Sequence, residues 1–573
     1  MSPTVLRACD GRAPALPAGA FHVLAILLGL AVSPAFADHP RVYALTNASL
    51  VPSPGQVVEA GTLILRDGLI DAVGEGVEIP PDAVEIDAEG LWIYPGLIDP
   101  DTTLGLGRQR GDTGQAPSGA AGFSRPRRET PPGAVHPIAR VHPECQARDR
   151  LVPFDNDDRK REVERYRKLG FTAVLAAPEG GIFRGLSVAI LLKDDVPVSD
   201  LILRDGIAQH IGFERGGFGQ GYPTSLMGTA AAIRQTLLDT ERYITWYDRY
   251  SKSPRGMRRP EHVAAYEALA SVLRDSRQVV FALENPADFF LADRLAREFD
   301  LDAVISAAGH EWETAERVAV AGRTLILPVS IPDKPKVDDE DEALNVSLRE
   351  MRRYLEAPAG PGKLHEAGVE FAFTTRGLKN LANFSKNLRK IIEAGLPEER
   401  ALAALTTVPA KILGIDAMTG TLETGKIANV IVADGPLFEK DTKIQRVFVD
   451  GVEYRAEEKE KPKGDPDAVV DPRGEWSVVF EISGQTFQRT WTISGEPDSY
   501  KGTAETQRGT VTFEEVGLEG NALTVAFPSR GGFGSTEITV IIEGDTFEGI
   551  AEMGTRSVPV KGTRTSGPEG GGR

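Results

Sequence analysis

The sequence has almost no cysteine, and this absence limits how the chain can be stabilised. Its 573 residues contain two cysteines, Cys9 and Cys145. Cys9 lies in an N-terminal segment that we interpret as a cleaved export signal, so the mature chain keeps one thiol. An intrachain disulfide is therefore excluded after cleavage, and the fold must be held by its core.

The sequence also lacks an excess of positive charge. Lysine and arginine total 65 against 83 aspartates and glutamates, which gives a formal net charge of −18. A chain this acidic is not expected to bind nucleic acid or an anionic membrane surface. Beyond the N-terminus, no run is long and apolar enough to predict a transmembrane anchor.

Residues 1–37 have the pattern of an export signal. Two arginines precede an apolar stretch at 21–32, and Ala35-Phe36-Ala37 fits a small-x-small cleavage site. The stretch is too short to favour a permanent anchor, since a helix needs about 20 apolar residues to cross a bilayer. We therefore predict cleavage after Ala37 and a periplasmic or secreted location.

The middle of the sequence alternates between strand-like and helix-like segments. Buried strands are predicted at 170–176, 278–283, 303–307, 324–329 and 370–374. This alternation predicts a parallel α/β barrel. A long segment at 104–137, rich in Gly, Pro, Ser and Arg, is predicted to be a loop after the first strand, at the end of the barrel where enzymes of this architecture place their sites.

Four motifs carry a family resemblance. The first, Leu91-Trp92-Ile93-Tyr94-Pro95-Gly96-Leu97-Ile98-Asp99, has the form of a first barrel strand. Residues 400–414 follow the pattern A-L-x-x-x-T-x-x-P-A-x-x-L-G, residues 420–432 read G-T-L-E-T-G-K-I-A-N-V-I-V, and residues 447–454 read V-F-V-D-G-V-E-Y. In this order the motifs resemble the amidohydrolase superfamily, in its imidazolonepropionase-like and dihydroorotase-like branch.

The resemblance implies an α/β fold and a family activity, the metal-dependent hydrolysis of non-peptide C–N bonds. It implies a TIM-like (β/α)8 barrel at 95–414. A composite small β-sandwich domain, with one half from each flank of the barrel, is expected at 38–94 and 415–456. The likeness spans about residues 40–456.

Three further segments are predicted after this region. A charged segment with several Pro and Gly residues, 457–473, is typical of a linker. Residues 474–563 contain short strands separated by turns, which predict a small antiparallel β-barrel or sandwich that weakly resembles a lipocalin. Residues 564–573 are predicted to be a disordered tail.

The metal ligands that the resemblance implies are absent from their expected positions. The family has His-x-His after the first strand, where two imidazoles point the same way and bind one metal. Asp101 and Thr103 stand there, Leu283 and Ala308 stand where further histidines are expected, and Arg376 stands at or beside the family's last-strand aspartate. Zinc or another divalent metal, the cofactor expected of the family, is therefore not supported by these ligands, and we predict no metal.

Two functions remain open. The first is a metal-independent binding homologue, whose partner is an unknown small molecule or a periplasmic protein and which is also open to forming a homo-oligomer. The second is an active hydrolase of a cyclic amide or peptide-like substrate, with a non-standard site around Asp101, Glu284, His310 and Thr375. The first is favoured because function depends on the site and not on the fold.

Individual side chains at the barrel mouth have competing interpretations. Asp99 and Asp101 could share a proton or bind a hard cation, but a structural role is favoured for Asp99. His310 is predicted to begin a helix more readily than to enter the site. Arg376 is expected to pair with Asp101, because the first and last strands are neighbours in a closed barrel.

Overall fold

A computed structural model of the chain describes most of its length. The described residues are 42–107, 136–216, 222–335, 337, 343–455 and 464–567, the last range with gaps at 466–467, 469, 483–484, 496–499, 507–508, 514, 528–535 and 554–555. The predicted export signal lies outside them, as do most of the loop at 104–137, most of the linker and the end of the tail. Among the described helices, none is long and apolar enough to cross a membrane.

The described chain begins with five strands. They are β1 Val42–Leu50, β2 Val58–Arg66, β3 Leu69–Gly74, β4 Val84–Asp87 and β5 Trp92–Pro95. Strands β2 and β3 form a hairpin with Asp67-Gly68 as its turn. Both turn residues have positive φ, 50° and 84°, which is the conformation that a tight two-residue hairpin turn requires.

Ten strands follow in the middle of the chain. They are β6 Leu97–Thr102, β7 Phe171–Ala176, β8 Phe183–Leu186, β9 Val188–Leu191, β10 Ile202–Arg204, β11 Gln209–Gly212, β12 Val279–Ala282, β13 Ala303–Ser306, β14 Leu325–Pro328 and β15 Phe371–Thr374. They form two sheets, ordered β10-β9-β7-β6 and β15-β14-β13-β12-β11-β8.

The helices of the described chain lie between and after these strands. They are α1 Asp157–Arg167, α2 Val198–Leu201, α3 Leu226–Lys252, α4 Ala264–Arg274, α5 Phe289–Glu298, α6 Ala315–Ala321, α7 Leu348–Glu356, α8 Gly360–Glu366, α9 Asn383–Glu393, α10 Glu398–Ala403 and α11 Thr407–Leu413. Several begin at a polar cap, as where the Ser347 side chain accepts the Glu350 amide at the start of α7. Gly414 ends α11 with φ +61°, the left-handed conformation that favours glycine.

The barrel departs from strict (β/α)8 alternation at one place. Strand β7 pairs antiparallel with β9, and β8 pairs antiparallel with β11, so the segment 183–191 bridges the two sheets against the direction of the other strands. Residues 177–182 turn directly from β7 into β8 without a helix, and a strand joined by so short a connection must return antiparallel.

The barrel interior has an apolar floor. Its side chains come from the N-terminal halves of the parallel strands: Ile98, Ala173, Val280, Val304, Ile326 and Ala372. The first and last strands, β6 and β15, are bridged by the segment before α11, since the Leu405 carbonyl accepts the Ile98 amide at 2.8 Å and the Ala404 carbonyl accepts the Phe373 amide at 2.8 Å. The space above this floor, at the C-terminal ends of the strands, holds the candidate site.

The two flanks of the barrel meet in one sheet. Strands β16 Val430–Ala433, β17 Ile444–Val449 and β18 Val452–Arg455 extend the N-terminal strands in the order β18-β17-β16-β5-β1-β2-β3, with β4 paired to β1. Strand β16 lies antiparallel to β5. The N-terminal and C-terminal flanks therefore share hydrogen bonds and an apolar core.

The C-terminal part is a nine-stranded, curled antiparallel sheet. Its strands are β19 Gly474–Ile482, β20 Gln485–Ser494, β21 Lys501–Thr506, β22 Gly509–Thr512, β23 Glu515–Glu519, β24 Ala522–Phe527, β25 Thr536–Glu543, β26 Thr546–Met553 and β27 Arg556–Ser566. The first strand pairs with the last, β19 with β27. Trp476, Trp491 and Phe547 are buried at its centre, so this sheet has a core of its own.

Candidate functional site

A layer of polar side chains lies above the apolar floor of the barrel. Side chains alternate along a strand, so a residue two positions beyond a floor residue also points inward. Ser306 stands two residues after Val304 on β13, and Thr374 stands two residues after Ala372 on β15. Together with Asp101, these buried groups form the polar layer of the barrel mouth.

Asp101 is the centre of this layer and is fully buried. Its Oδ2 accepts the Ser306 hydroxyl at 2.5 Å, and its Oδ1 accepts Nη1 of Arg376 at 2.6 Å. The ion pair that the sequence predicted between Asp101 and Arg376 is therefore confirmed. The other end of the Arg376 guanidinium, Nη2, donates to Glu179 at 3.2 Å. Although burial disfavours the charged form, the carboxylates of Asp101 and Glu179 hold the pKa of Arg376 above its ordinary value.

Asp99 ties the first strand to the last. Its carboxylate accepts the Thr374 and Thr375 hydroxyls at 2.6 Å each, the Thr375 amide at 2.9 Å and the Asp101 amide at 3.1 Å. Burial raises the pKa of Asp99 to about 6, against the opposing effect of these hydrogen bonds. The contacts are those of a residue that closes the barrel, which agrees with the structural role favoured for it.

Arg184 contributes a second guanidinium from the antiparallel strand β8. Its Nε donates to the Gly181 carbonyl at 3.2 Å, and its Nη2 packs so closely on Gly212 that an added Cβ there would clash with it. Burial, and then the positive charge of Arg376, lower the pKa of Arg184. Among the described residues, no hydrogen-bond partner is found for its two Nη atoms. The negative charge of the buried Asp101 acts on both arginines and opposes the lowering of the Arg184 pKa.

His210, on β11, is the least satisfied group in the layer. It is 1% exposed, and neither ring nitrogen has a hydrogen-bond partner within the described residues. Burial lowers its pKa to about 4, while the charge of Asp101 acts in the opposite direction. The imidazole is therefore neutral near pH 7 and offers one donor and one acceptor inside the barrel.

In the part of the chain that the structure describes, two of the four predicted catalytic candidates are not hydrogen-bonded to the polar layer around Asp101. Asp101 and Thr375 are brought together through Asp99, as described above. Glu284 is exposed just after β12. The half-buried ring of His310 packs edge-on against Trp312, with centroids 6.5 Å apart. Among the described residues, neither Glu284 nor His310 has a hydrogen bond to Asp101, so a site built from all four residues stays a prediction.

The other residues at the expected metal positions lie in different surroundings from one another. Thr103 is exposed because β6 ends at Thr102 and the alternation stops there. Leu283 is buried in the outer core, and the Ala308 amide donates at 2.8 Å to the Glu311 carboxylate. That carboxylate is buried and caps the turn after β13, since it also accepts the Gly309 amide at 2.9 Å.

The donors present do not fit the two-metal centre that the resemblance implies. Such a centre needs several imidazoles and carboxylates around a shared cation. Here a guanidinium occupies one oxygen of Asp101 and a serine hydroxyl the other, and Leu283 and Ala308 supply no donor. Within the described ranges, no three His, Cys, Asp or Glu side chains lie close enough together to hold a metal ion. His142 and Glu144, 3.5 Å apart, belong to no such group.

Sequence reasoning missed Arg184, His210 and Ser306. Each lies on a short strand whose inward face can be assigned only when its partners are known. His210 stands two residues after the buried Ala208, and this alternation is a local signal that points to the barrel interior.

The chain is similar in sequence to a protein family and to several known proteins. Residues 350–454 match the family model described as Amidohydrolase family. A dihydroorotase from Anaeromyxobacter dehalogenans is 25% identical over 423 residues, which is 68% of this chain and 88% of that protein. An imidazolonepropionase from Vibrio cholerae is 42% identical over 65 residues, 10% of this chain and 16% of that protein.

A solved structure agrees with these sequence matches. The amidohydrolase from Thermotoga maritima MSB8 superposes with a TM-score of 0.57 at 24% identity, covering 72% of this chain and all of that one. At that identity the likeness concerns the fold, a TIM barrel with a β-rich domain. The family model, the two relatives and this structure together support the amidohydrolase superfamily for this chain.

Proposed function

We propose that this chain is a metal-independent amidohydrolase homologue that binds a small molecule at the barrel mouth and has lost the two-metal hydrolytic chemistry. The observation that carries the proposal is the Arg376 guanidinium 2.6 Å from Oδ1 of the buried Asp101. A fixed positive charge at this place repels a divalent cation and occupies the oxygen that would bind it.

The same cluster supports a binding role. Arg184 and Arg376 supply guanidinium donors, and the buried His210 supplies an unpartnered ring. Groups of this kind recognise carboxylate and carbonyl oxygens. The proposal places the protein in the periplasm or outside the cell, following the predicted export signal, with a small molecule or a periplasmic protein as partner.

Metal content tests the proposal directly. The chain is expressed without a histidine tag, supplied with zinc, manganese and iron, and measured by elemental mass spectrometry. We expect well below one metal per chain. Asp101→Ala reports on this site, and His262→Ala, at an exposed position, is the matched control for adventitious surface binding. The proposal is overturned if the wild type holds stoichiometric metal, Asp101→Ala loses that metal and His262→Ala retains it.

A second function is favoured by one observation. His210 is neutral and unpartnered next to Asp101, so it can accept a proton from a nucleophilic water in an active, metal-independent hydrolase. A panel of cyclic amides and dipeptides, assayed with the wild type and with His210→Ala, separates the two functions. If the wild type turns over a substrate and His210→Ala does not, the protein is a hydrolase and the binding-only proposal is refuted.

A further inference from the structure

A cavity lies at the opposite end of the barrel from Asp101. It encloses about 720 Å³ between the start of β6, the end of α1, helix α9 and the connection from β16 to β17. Leu97 and Leu169, which line it, stand at the N-terminal ends of β6 and β7, whereas the polar layer stands at the C-terminal ends. This volume lies in the range of small-molecule sites, about 300–1,000 Å³.

Part of the cavity wall is apolar. Its apolar side chains include Leu169, Phe384, Leu388, Leu437, Phe438 and Ile444. The connection that carries Leu437 is held in place because the Leu437 amide donates to the Tyr94 hydroxyl at 3.2 Å. The cavity therefore offers a formed apolar surface between helix α9 and the composite sheet, and this surface favours the body of an apolar or amphipathic molecule.

The charged part of the wall is positive in an acidic protein. Five cations line the cavity, Lys168, Arg389, Lys443, Arg446 and Arg455, against one carboxylate, Asp434. Two carboxylates in the neighbouring surface neutralise part of this charge: Glu453 pairs with both Arg446 and Arg455, and Glu164 pairs with Lys168. The cations still outnumber the carboxylates, although the whole chain carries a net charge of −18.

Arg389 is the cation that most clearly points to a ligand. It lies on α9 and is half-buried in the cavity wall. Within the described part of the chain, it has neither a hydrogen bond nor an ion pair. A partly desolvated guanidinium with a planar fork of donors matches the two oxygens of a carboxylate.

We propose that this cavity is a binding site for an amphipathic organic anion, with a carboxylate head at Arg389 and an apolar body against Phe384, Leu388 and Phe438. The site does not depend on the barrel-mouth chemistry, because the two lie at opposite ends of the barrel. A neighbouring cavity of about 430 Å³ shares Lys168, Ile444, Arg446 and Arg455, so a longer ligand can extend along the composite sheet.

The test uses the full purified chain, with octanoate as the charged probe and 1-octanol as the neutral probe of equal tail length. Isothermal titration calorimetry at low salt should give a Kd for octanoate below about 1 mM, and weaker binding of 1-octanol. Arg389→Gln should weaken octanoate binding by at least about tenfold and leave 1-octanol binding nearly unchanged. Lys390→Gln, at the next and exposed position, is the matched control and should stay within about twofold of the wild type.

Ser385→Phe supplies a second variant that acts through volume. Ser385 lines the cavity and is half-buried on α9, so a phenyl ring there fills the space without removing a charge. We expect it to abolish binding of both probes. No octanoate binding by the wild type up to about 5 mM, equal binding by Arg389→Gln and the wild type, or unchanged binding by Ser385→Phe would each refute the proposal. None of these outcomes bears on the metal content of the barrel mouth, so the two proposals fail separately.

Discussion

Removing the positive partner of the buried Asp101 should destabilise the barrel strongly. In Arg376→Met the carboxylate keeps the Ser306 hydroxyl but loses the guanidinium 2.6 Å from Oδ1. Two unit charges about 4 Å apart attract by about 4 kcal/mol at an effective dielectric constant of 20. Breaking a buried pair typically costs about 3–5 kcal/mol. The Arg376 side chain is 29% exposed, so water can reach the vacated position, and we expect the lower value, about 3 kcal/mol.

Urea unfolding followed by circular dichroism at 222 nm measures this cost. The helices of the described chain all lie between residues 157 and 413, so the helical signal reports on the barrel and not on the C-terminal sheet. Arg297→Met is the matched control, since Arg297 is 57% exposed and pairs with Asp293 within one helix. Its loss should cost less than about 0.5 kcal/mol.

A double-mutant cycle decides whether the ion pair is the cause. Asp101→Asn with Arg376→Met removes both charges, and the double variant should recover to within about 1 kcal/mol of the wild type. The coupling free energy between the two positions should then reach about 2 kcal/mol. Additive single effects, or an Arg376→Met variant as stable as the Arg297→Met control, would contradict this account of the barrel mouth.

Two further predictions concern stability. Burial raises the pKa of Asp99 to about 6, above about 3.9 in the unfolded chain, so the folded state binds the extra proton between those values and loses stability as pH rises through them. Urea titrations at pH 4 and pH 6.5 give the change in the free energy of unfolding between the two pH values, and Asp99→Asn should reduce that change by about 2–3 kcal/mol. An equal change for the variant and the wild type would contradict the prediction. Trp491→Ala, which empties a fully buried position among Phe480, Phe513, Phe527 and Phe547, should cost the C-terminal sheet about 3–5 kcal/mol. Near-ultraviolet circular dichroism and limited proteolysis should show that loss, and an equal shift of the helical urea transition would count against a separate core.

The strands that sequence patterns located best are those buried on both faces. The predicted segments at 278–283, 303–307 and 370–374 overlap β12, β13 and β15 closely. A strand covered on both sides is apolar along most of its length, and this leaves a local signature. The Asp67-Gly68 turn between β2 and β3 likewise depends on two neighbouring residues.

Other features depended on partners that are distant in the chain. The antiparallel segment 183–191 has apolar residues like its neighbours, and only its pairing with β7 and β11 gives its direction. Thr103 was expected beside Asp101 on the inner face, but the end of β6 at Thr102 leaves it exposed.

The sequence by itself indicated the superfamily resemblance, the barrel with its added sheets, and the absence of histidines where that resemblance expects them, because these features depend on local motifs and on residue identity. It also predicted the pair of Asp101 and Arg376, since adjacency of the first and last strands follows from closing a barrel. Only the tertiary structure brought Ser306, Arg184 and His210 to that pair, and placed Arg389 in a cavity between α9 and the composite sheet. The physical reason is that convergence depends on strand register and on direction within the sheet, both of which are set by contacts between segments up to hundreds of residues apart.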